Sequence, residues 1–106
     1  MRMRKKKHRD ERLEQCYSLM LDDIMDYKND IKAVFGNDKP LHIEIGCGKG
    51  GFILGTAEKN PDINYIAFEK NLDVLVLAME KVRAAGLENV RFAAGDAEIL
   101  GQLETK

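Results

Sequence analysis

The stretch Leu41-His42-Ile43-Glu44-Ile45-Gly46-Cys47-Gly48-Lys49-Gly50-Gly51 decides how this 106-residue chain is read. Five mostly apolar residues read as a short strand, and they end in a turn dense with glycine. A helical stretch follows from about Phe52 to Lys59 and is closed by Asn60-Pro61-Asp62. The next strand is Ile63 to Phe68, with Glu69 at its C-terminal end. Leu72, Leu75, Val76, Met79 and Val82 then form a stripe at steps of three and four, which predicts a core-facing helix stopping near Gly86. Val90 to Ala94 is a third strand, running into Gly95-Asp96-Ala97. Strand, helix, strand, helix, strand implies parallel strands joined by right-handed crossovers, an α/β sheet of the Rossmann type.

Upstream of this unit the pattern is helical. Leu13, Cys16, Tyr17 and Met20 recur at helical spacing from about Asp10, and a second amphipathic stretch spans Tyr27 to Phe35. Gly36-Asn37-Asp38-Lys39-Pro40 breaks it, because Gly ends helices and Pro pushes its predecessor toward extended backbone. The chain therefore divides into a basic arm (1–9), a helical segment (10–36) and the first half of a Rossmann-like domain (37–106).

This length supports a single compact domain. With 44% hydrophobic and 33% charged residues, the composition is that of a soluble globular protein rather than a disordered one. No apolar run approaches the roughly 18 residues that span a bilayer, and no apolar segment follows the basic N-terminus as in a secretory signal. Cys16 and Cys47 form neither a disulfide scaffold nor a zinc-type cluster, so a reduced, cytoplasmic protein is expected. The near-neutral total of 17 basic and 18 acidic residues conceals an uneven distribution. Residues 1–12 hold seven Lys or Arg against Asp10 and Glu11. Such an arm repels itself, is expected to stay extended until it meets a polyanion, and otherwise serves as a solvated terminus.

In an open parallel sheet, ligands bind beyond the C-terminal ends of the strands. Three features converge there. Gly46, Gly48 and Gly50 permit a tight turn and a close backbone approach, and the turn aims N–H groups and a helix N-terminus at its ligand. Gly46, Gly48 and Gly51 also satisfy the dinucleotide fingerprint G-x-G-x-x-G, and Glu69 lies 18 residues after Gly51, so NAD fits the turn as well. Glu44 tilts the choice. A carboxylate beside a pyrophosphate gains nothing, whereas the ammonium end of S-adenosylmethionine, which has no phosphate, is suited to it. Glu69 can accept both hydroxyls of a ribose, Asp96 the exocyclic amine of an adenine, and the Ala97 N–H can approach a ring nitrogen. Each acid taken alone also fits a solvated strand end or a helix cap. Cys47 reads as a small turn residue rather than a nucleophile, His8 and His42 have no visible partners, and no catalytic or metal-binding residue is assigned.

Four segments carry a resemblance. They are Arg2-Met3-Arg4-Lys5-Lys6-Lys7-His8-Arg9-Asp10-Glu11-Arg12-Leu13, Phe35-Gly36-Asn37-Asp38-Lys39-Pro40, His42 to Phe52, and Asn60-Pro61-Asp62-Ile63-Asn64-Tyr65. Together they resemble bacterial tRNA (guanine-N7-)-methyltransferases. The resemblance implies a class I, S-adenosylmethionine-dependent enzyme that methylates N7 of a guanine in the tRNA variable loop. It aligns Glu44, Glu69 and Asp96 with cofactor-contacting acids, and sets Arg2, Arg4, Lys5, Lys6, Lys7 and Arg9 near the tRNA backbone. The family's Asp-Pro-Trp-Pro-Lys-Lys segment is absent, since this chain has no Trp and its prolines are Pro40 and Pro61. The resemblance thus implies a cofactor-binding N-terminal part, inactive alone, whose first strand presents an open edge that invites self-association. The competing expectations are a nicotinamide-dependent oxidoreductase fragment and a non-catalytic RNA-binding module.

Overall fold

The structure, a computed structural model, describes residues 2–21, 30–48 and 50–95. Helix α1 (Arg2–Gln15) leads into a 3₁₀ turn at Tyr17–Leu19, and a second 3₁₀ turn covers Ile31–Val34. Then follow β1 (Leu41–Ile45), α2 (Gly51–Lys59), β2 (Asn64–Glu69), α3 (Leu72–Ala85) and β3 (Val90–Ala94). The three strands pair in parallel in the order β1-β2-β3. The Rossmann-type arrangement expected from the sequence is what forms.

The register sorts side chains onto two faces. Because successive residues of a strand alternate, pairing Glu44 with Ala67 and Glu69 with Ala94 puts Glu44, Tyr65, Ala67, Glu69, Val90 and Phe92 on one face. That face carries the main core: Tyr65, Ala67, Val90 and Phe92 pack against Ile53 and Ala57 of α2, Leu75, Ala78, Met79 and Val82 of α3, and Cys16 and Leu19. The opposite face buries Ile66, Phe68 and Ala93, with Leu21, Val34 and Phe35 packed on them. The predicted stripe on α3 is thus core.

Element ends follow local chemistry. Asn71 caps α3, its Oδ1 accepting from the N–H groups of Asp73 (3.0 Å) and Val74 (3.2 Å). Gly86 closes the same helix in the left-handed conformation. Asn89, buried where α2 ends and β3 begins, donates through Nδ2 to the carbonyls of Ala57, Asn60 and Ile63.

The N-terminal segment departs from expectation in two places. The arm is not extended: the backbone is helical from Arg2. The helical spacing of Leu13, Cys16, Tyr17 and Met20 does not extend one helix through all four, because α1 stops at Gln15. The chain turns there so that Cys16 and Leu19 enter the core while Tyr17 stays exposed. Met20 then bridges Phe92 in parallel, and the Leu21 N–H donates to the Phe92 carbonyl at 2.8 Å, which covers the outer edge of β3. Of the amphipathic stretch expected at Tyr27 to Phe35, residues 27–29 lie outside the described residues.

Candidate functional site

The carboxyl ends of β1 and β2 meet at the glycine turn. The Phe68 carbonyl accepts from the N–H groups of both Gly46 (2.8 Å) and Cys47 (3.2 Å), so the turn hangs from the last rung of the sheet. Gly46 and Gly48 have φ of +69° and +56°, and a Cβ at either would meet nothing within 4 Å. These two positions need glycine for backbone conformation and present open space to a ligand. Gly50 differs. At φ +88°, a Cβ there would lie 2.7 Å from Ala78 Cα and 2.8 Å from Ala78 Cβ. Gly50 thus has a packing role, seating the start of α2 against α3, besides its place in the turn.

Glu69 ties the site together. Its Oε1 accepts from the Gly48 N–H and its Oε2 from the Asn71 N–H, both at 3.1 Å. Its backbone carbonyl accepts from the Gly95 N–H at 3.1 Å, so the chain leaving β3 passes directly beside it. Two of the carboxylate's four acceptor sites are therefore used, and two remain for a diol. Asn71 was not singled out from the sequence, although an Asn two residues after a strand-end acid and just before an apolar stripe is a readable helix cap.

Glu44 shares the helix-bearing face with Glu69, one strand away. It is half-buried, no described residue forms an ion pair or hydrogen bond with it, and burial raises its carboxyl above the ordinary range. Cys47 is buried, and its thiol is pushed up to about 12, first by burial and then by Glu69 and Glu44. A thiol held neutral in this way is no nucleophile. Asp96 and Ala97 lie outside the described residues, as do the side chains of Arg2, Arg4, Lys5, Lys6 and Lys7.

Among the described residues the turn's own donors are already spoken for. Gly46 and Cys47 donate to Phe68, Gly48 to Glu69, and Gly50 to the Cys47 carbonyl at 3.1 Å. Among the described residues, free N–H groups are left at the first turn of α2, whose leading N–H groups have no acceptor within the helix. A pyrophosphate lying over the turn would find carboxylates on either side and few donors. Among the described residues no cluster of His, Cys, Asp and Glu could hold a metal ion.

Residues 38–105 match the profile of a family described as "Putative methyltransferase". The chain belongs to this methyltransferase family. It is 46% identical over 103 residues to a tRNA (guanine-N(7)-)-methyltransferase of Bacillus velezensis, covering 97% of this chain and 48% of the relative. It is 45% identical over 100 residues to enzymes of the same description from Bacillus subtilis and Listeria monocytogenes, covering 94% of this chain and 47% of each. The chain thus spans about half the length of the curated relatives it matches. Among solved structures, an antibiotic-related methyltransferase superposes with a TM-score of 0.58 at 26% identity, over 74% of this chain and 40% of the other. A phosphoethanolamine N-methyltransferase of Haemonchus contortus, in complex with S-adenosyl-L-methionine, superposes at 0.50 and 20% identity over 68% of this chain and 16% of the other, a likeness of fold.

Proposed function

We propose that this chain holds S-adenosyl-L-methionine as the cofactor-binding part of a tRNA (guanine-N7-)-methyltransferase. The observation that carries the reading is the half-buried, unpartnered Glu44 on the same sheet face as Glu69, with the open Gly46–Gly48 turn between their strand ends. A desolvated carboxylate without a cation is costly unless the ligand brings one, and an amino-acid ammonium does so. Glu69 uses its remaining acceptor sites for the ribose diol. Asp96 and Ala97, directly after Gly95, are assigned to the adenine, and the first turn of α2 to the ligand's carboxylate.

When bound, the cofactor supplies a methyl group made electrophilic by its sulfonium. Guanine N7 already carries a lone pair, so the reaction needs no base to create the nucleophile. What this chain contributes is placement: Glu44, Glu69 and the glycine turn fix one reactant so that attack is in line. Arg2, Arg4, Lys5, Lys6, Lys7 and Arg9 are assigned to the tRNA backbone, where clustered cations add salt-dependent affinity. Among the described residues no helix is long and apolar enough to cross a membrane. The reading puts the protein at work on tRNA in the cytoplasm.

Titration calorimetry tests the cofactor assignment. S-adenosylhomocysteine is expected to bind and NAD to give no heat, and Glu69→Ala is expected to abolish binding. Preference for NAD would overturn the reading in favour of an oxidoreductase. The chain by itself, spanning about half the length of its curated relatives, is expected to transfer no methyl group to tRNA; product in a radiolabel assay would contradict that expectation.

A further inference from the structure

From the way α1 is fastened, we infer that the Arg12–Glu80 pair is a positioning device that aims the basic helix past the carboxyl edge of the sheet toward a bound RNA. The inference rests on the tRNA reading above and adds the element that orients it. Arg12 grips Glu80 with two donors, Nε to Oε2 at 2.8 Å and Nη2 to Oε1, across 68 residues of sequence. Arg9 lies 3.6 Å from Asp73, in the first turn of α3. The earlier residue of α1 thus meets the earlier residue of α3, and the two helices run the same way.

That direction has a consequence for the site. Helix α3 starts just after Glu69, at the carboxyl edge of the sheet. A helix parallel to it has its N-terminus at the same edge. Arg9 is already level with the start of α3, so the seven residues back to Arg2 carry the helix about 10 Å further, past the carboxyl edge of the sheet on the side of α3 where Met20 and Leu21 meet β3. The arm's Lys and Arg positions therefore lie along a rod that projects from the edge of the sheet at which Glu69 stands.

The two arginines divide the work. Arg12 is committed to Glu80, and the bond holds the Glu80 carboxyl below its ordinary range. Arg9 is not: its pairs with Asp73 and Asp10 are 3.6 and 3.8 Å, and its Nε is buried with no hydrogen-bond partner. The Nη groups of a guanidinium so loosely paired, at the base of the projecting turns, suit a phosphate oxygen. Leu13 and Cys16 fix the far end of the helix in the core, so the Arg12–Glu80 pair sets its swing rather than its existence.

The test turns on sign. Glu80→Gln removes a negative charge, and by charge alone it should tighten binding to an unmodified tRNA transcript. A positioning role predicts the reverse, roughly fivefold weaker binding with a shallower salt slope, because fewer phosphates are met at once. The reversed pair Arg12→Glu with Glu80→Arg keeps the total charge and the tie, and is expected to bind within twofold of the parent. Equal or tighter binding by Glu80→Gln, or loss of binding in the reversed pair, would overturn the inference while leaving the tRNA reading intact. If Glu80→Gln failed to fold by circular dichroism, the reversed pair alone would decide. No salt-sensitive tRNA binding by the parent chain would overturn both, and S-adenosylhomocysteine titration of the same samples would still report on the cofactor site.

Discussion

At the scale of single residues, the glycine turn separates two uses of one residue type. Gly48→Ala meets no atom within 4 Å and strains only its φ of +56°, so about 1 kcal/mol of stability should be lost. The added methyl would occupy the ligand's approach, and S-adenosylhomocysteine binding should fall by more than tenfold. Gly50→Ala combines a left-handed backbone with a clash against Ala78, and should cost about 3 kcal/mol in urea denaturation. If the two variants were equally stable, the assignment of Gly50 to packing would be wrong. Glu44 gives a pH signature. Burial raises its carboxyl in the folded chain, so between the ordinary value of about 4.3 and the raised one the native state binds the proton more tightly. Stability therefore falls as pH climbs through that window, and Glu44→Gln should flatten the slope. Ligand affinity should run the other way, weakening as acid neutralises the carboxylate, and calorimetry across pH 4 to 7 would reveal both trends.

Elements were legible to the extent that their signals are local. Strands β1 and β3 lie where alternation and flanking glycines place them, and α3 runs from its asparagine cap to Gly86 as its apolar stripe requires. The N-terminal segment was not legible in the same way. Leu13, Cys16, Tyr17 and Met20 satisfy helical spacing, yet the helix ends at Gln15 because Met20 has a partner on β3 that local periodicity does not encode. The expectation of an extended arm likewise weighed charge repulsion and had no means to see Asp73 and Glu80 waiting on α3. Within α3, Asn71 satisfies two N–H groups and donates its own to Glu69, so Asn71→Ala should lower stability by about 1 kcal/mol. It should also loosen the Glu69 carboxylate, and a thermal melt with and without S-adenosylhomocysteine would show a smaller ligand-induced shift than in the parent.

At the scale of the whole molecule, the sheet is covered along one edge and, among the described residues, unpaired along the other. The outer edge of β3 is covered by Met20 and Leu21, whereas β1 has no neighbour on its outer side among the described residues, and Ile45 is 46% exposed. Unpaired N–H and C=O groups beside exposed apolar side chains favour pairing with another chain. Sedimentation of the 106-residue chain should show association that grows with concentration, and Ile45→Lys, which places a charge at the exposed end of that strand, should reduce it. A monomer at millimolar concentration would contradict this.

Taken alone, the order of residues determined the parallel α/β unit, the glycine turn and the acids at its strand ends, because each depends on spacing within about ten neighbours. Tertiary structure decided that Gly50 serves packing while Gly46 and Gly48 face open space, that the Gly48 N–H braces Glu69, and that the basic helix lies parallel to α3. Those outcomes depend on pairs separated by 21 to 68 residues, and chain direction in space, not local propensity, brings such pairs together.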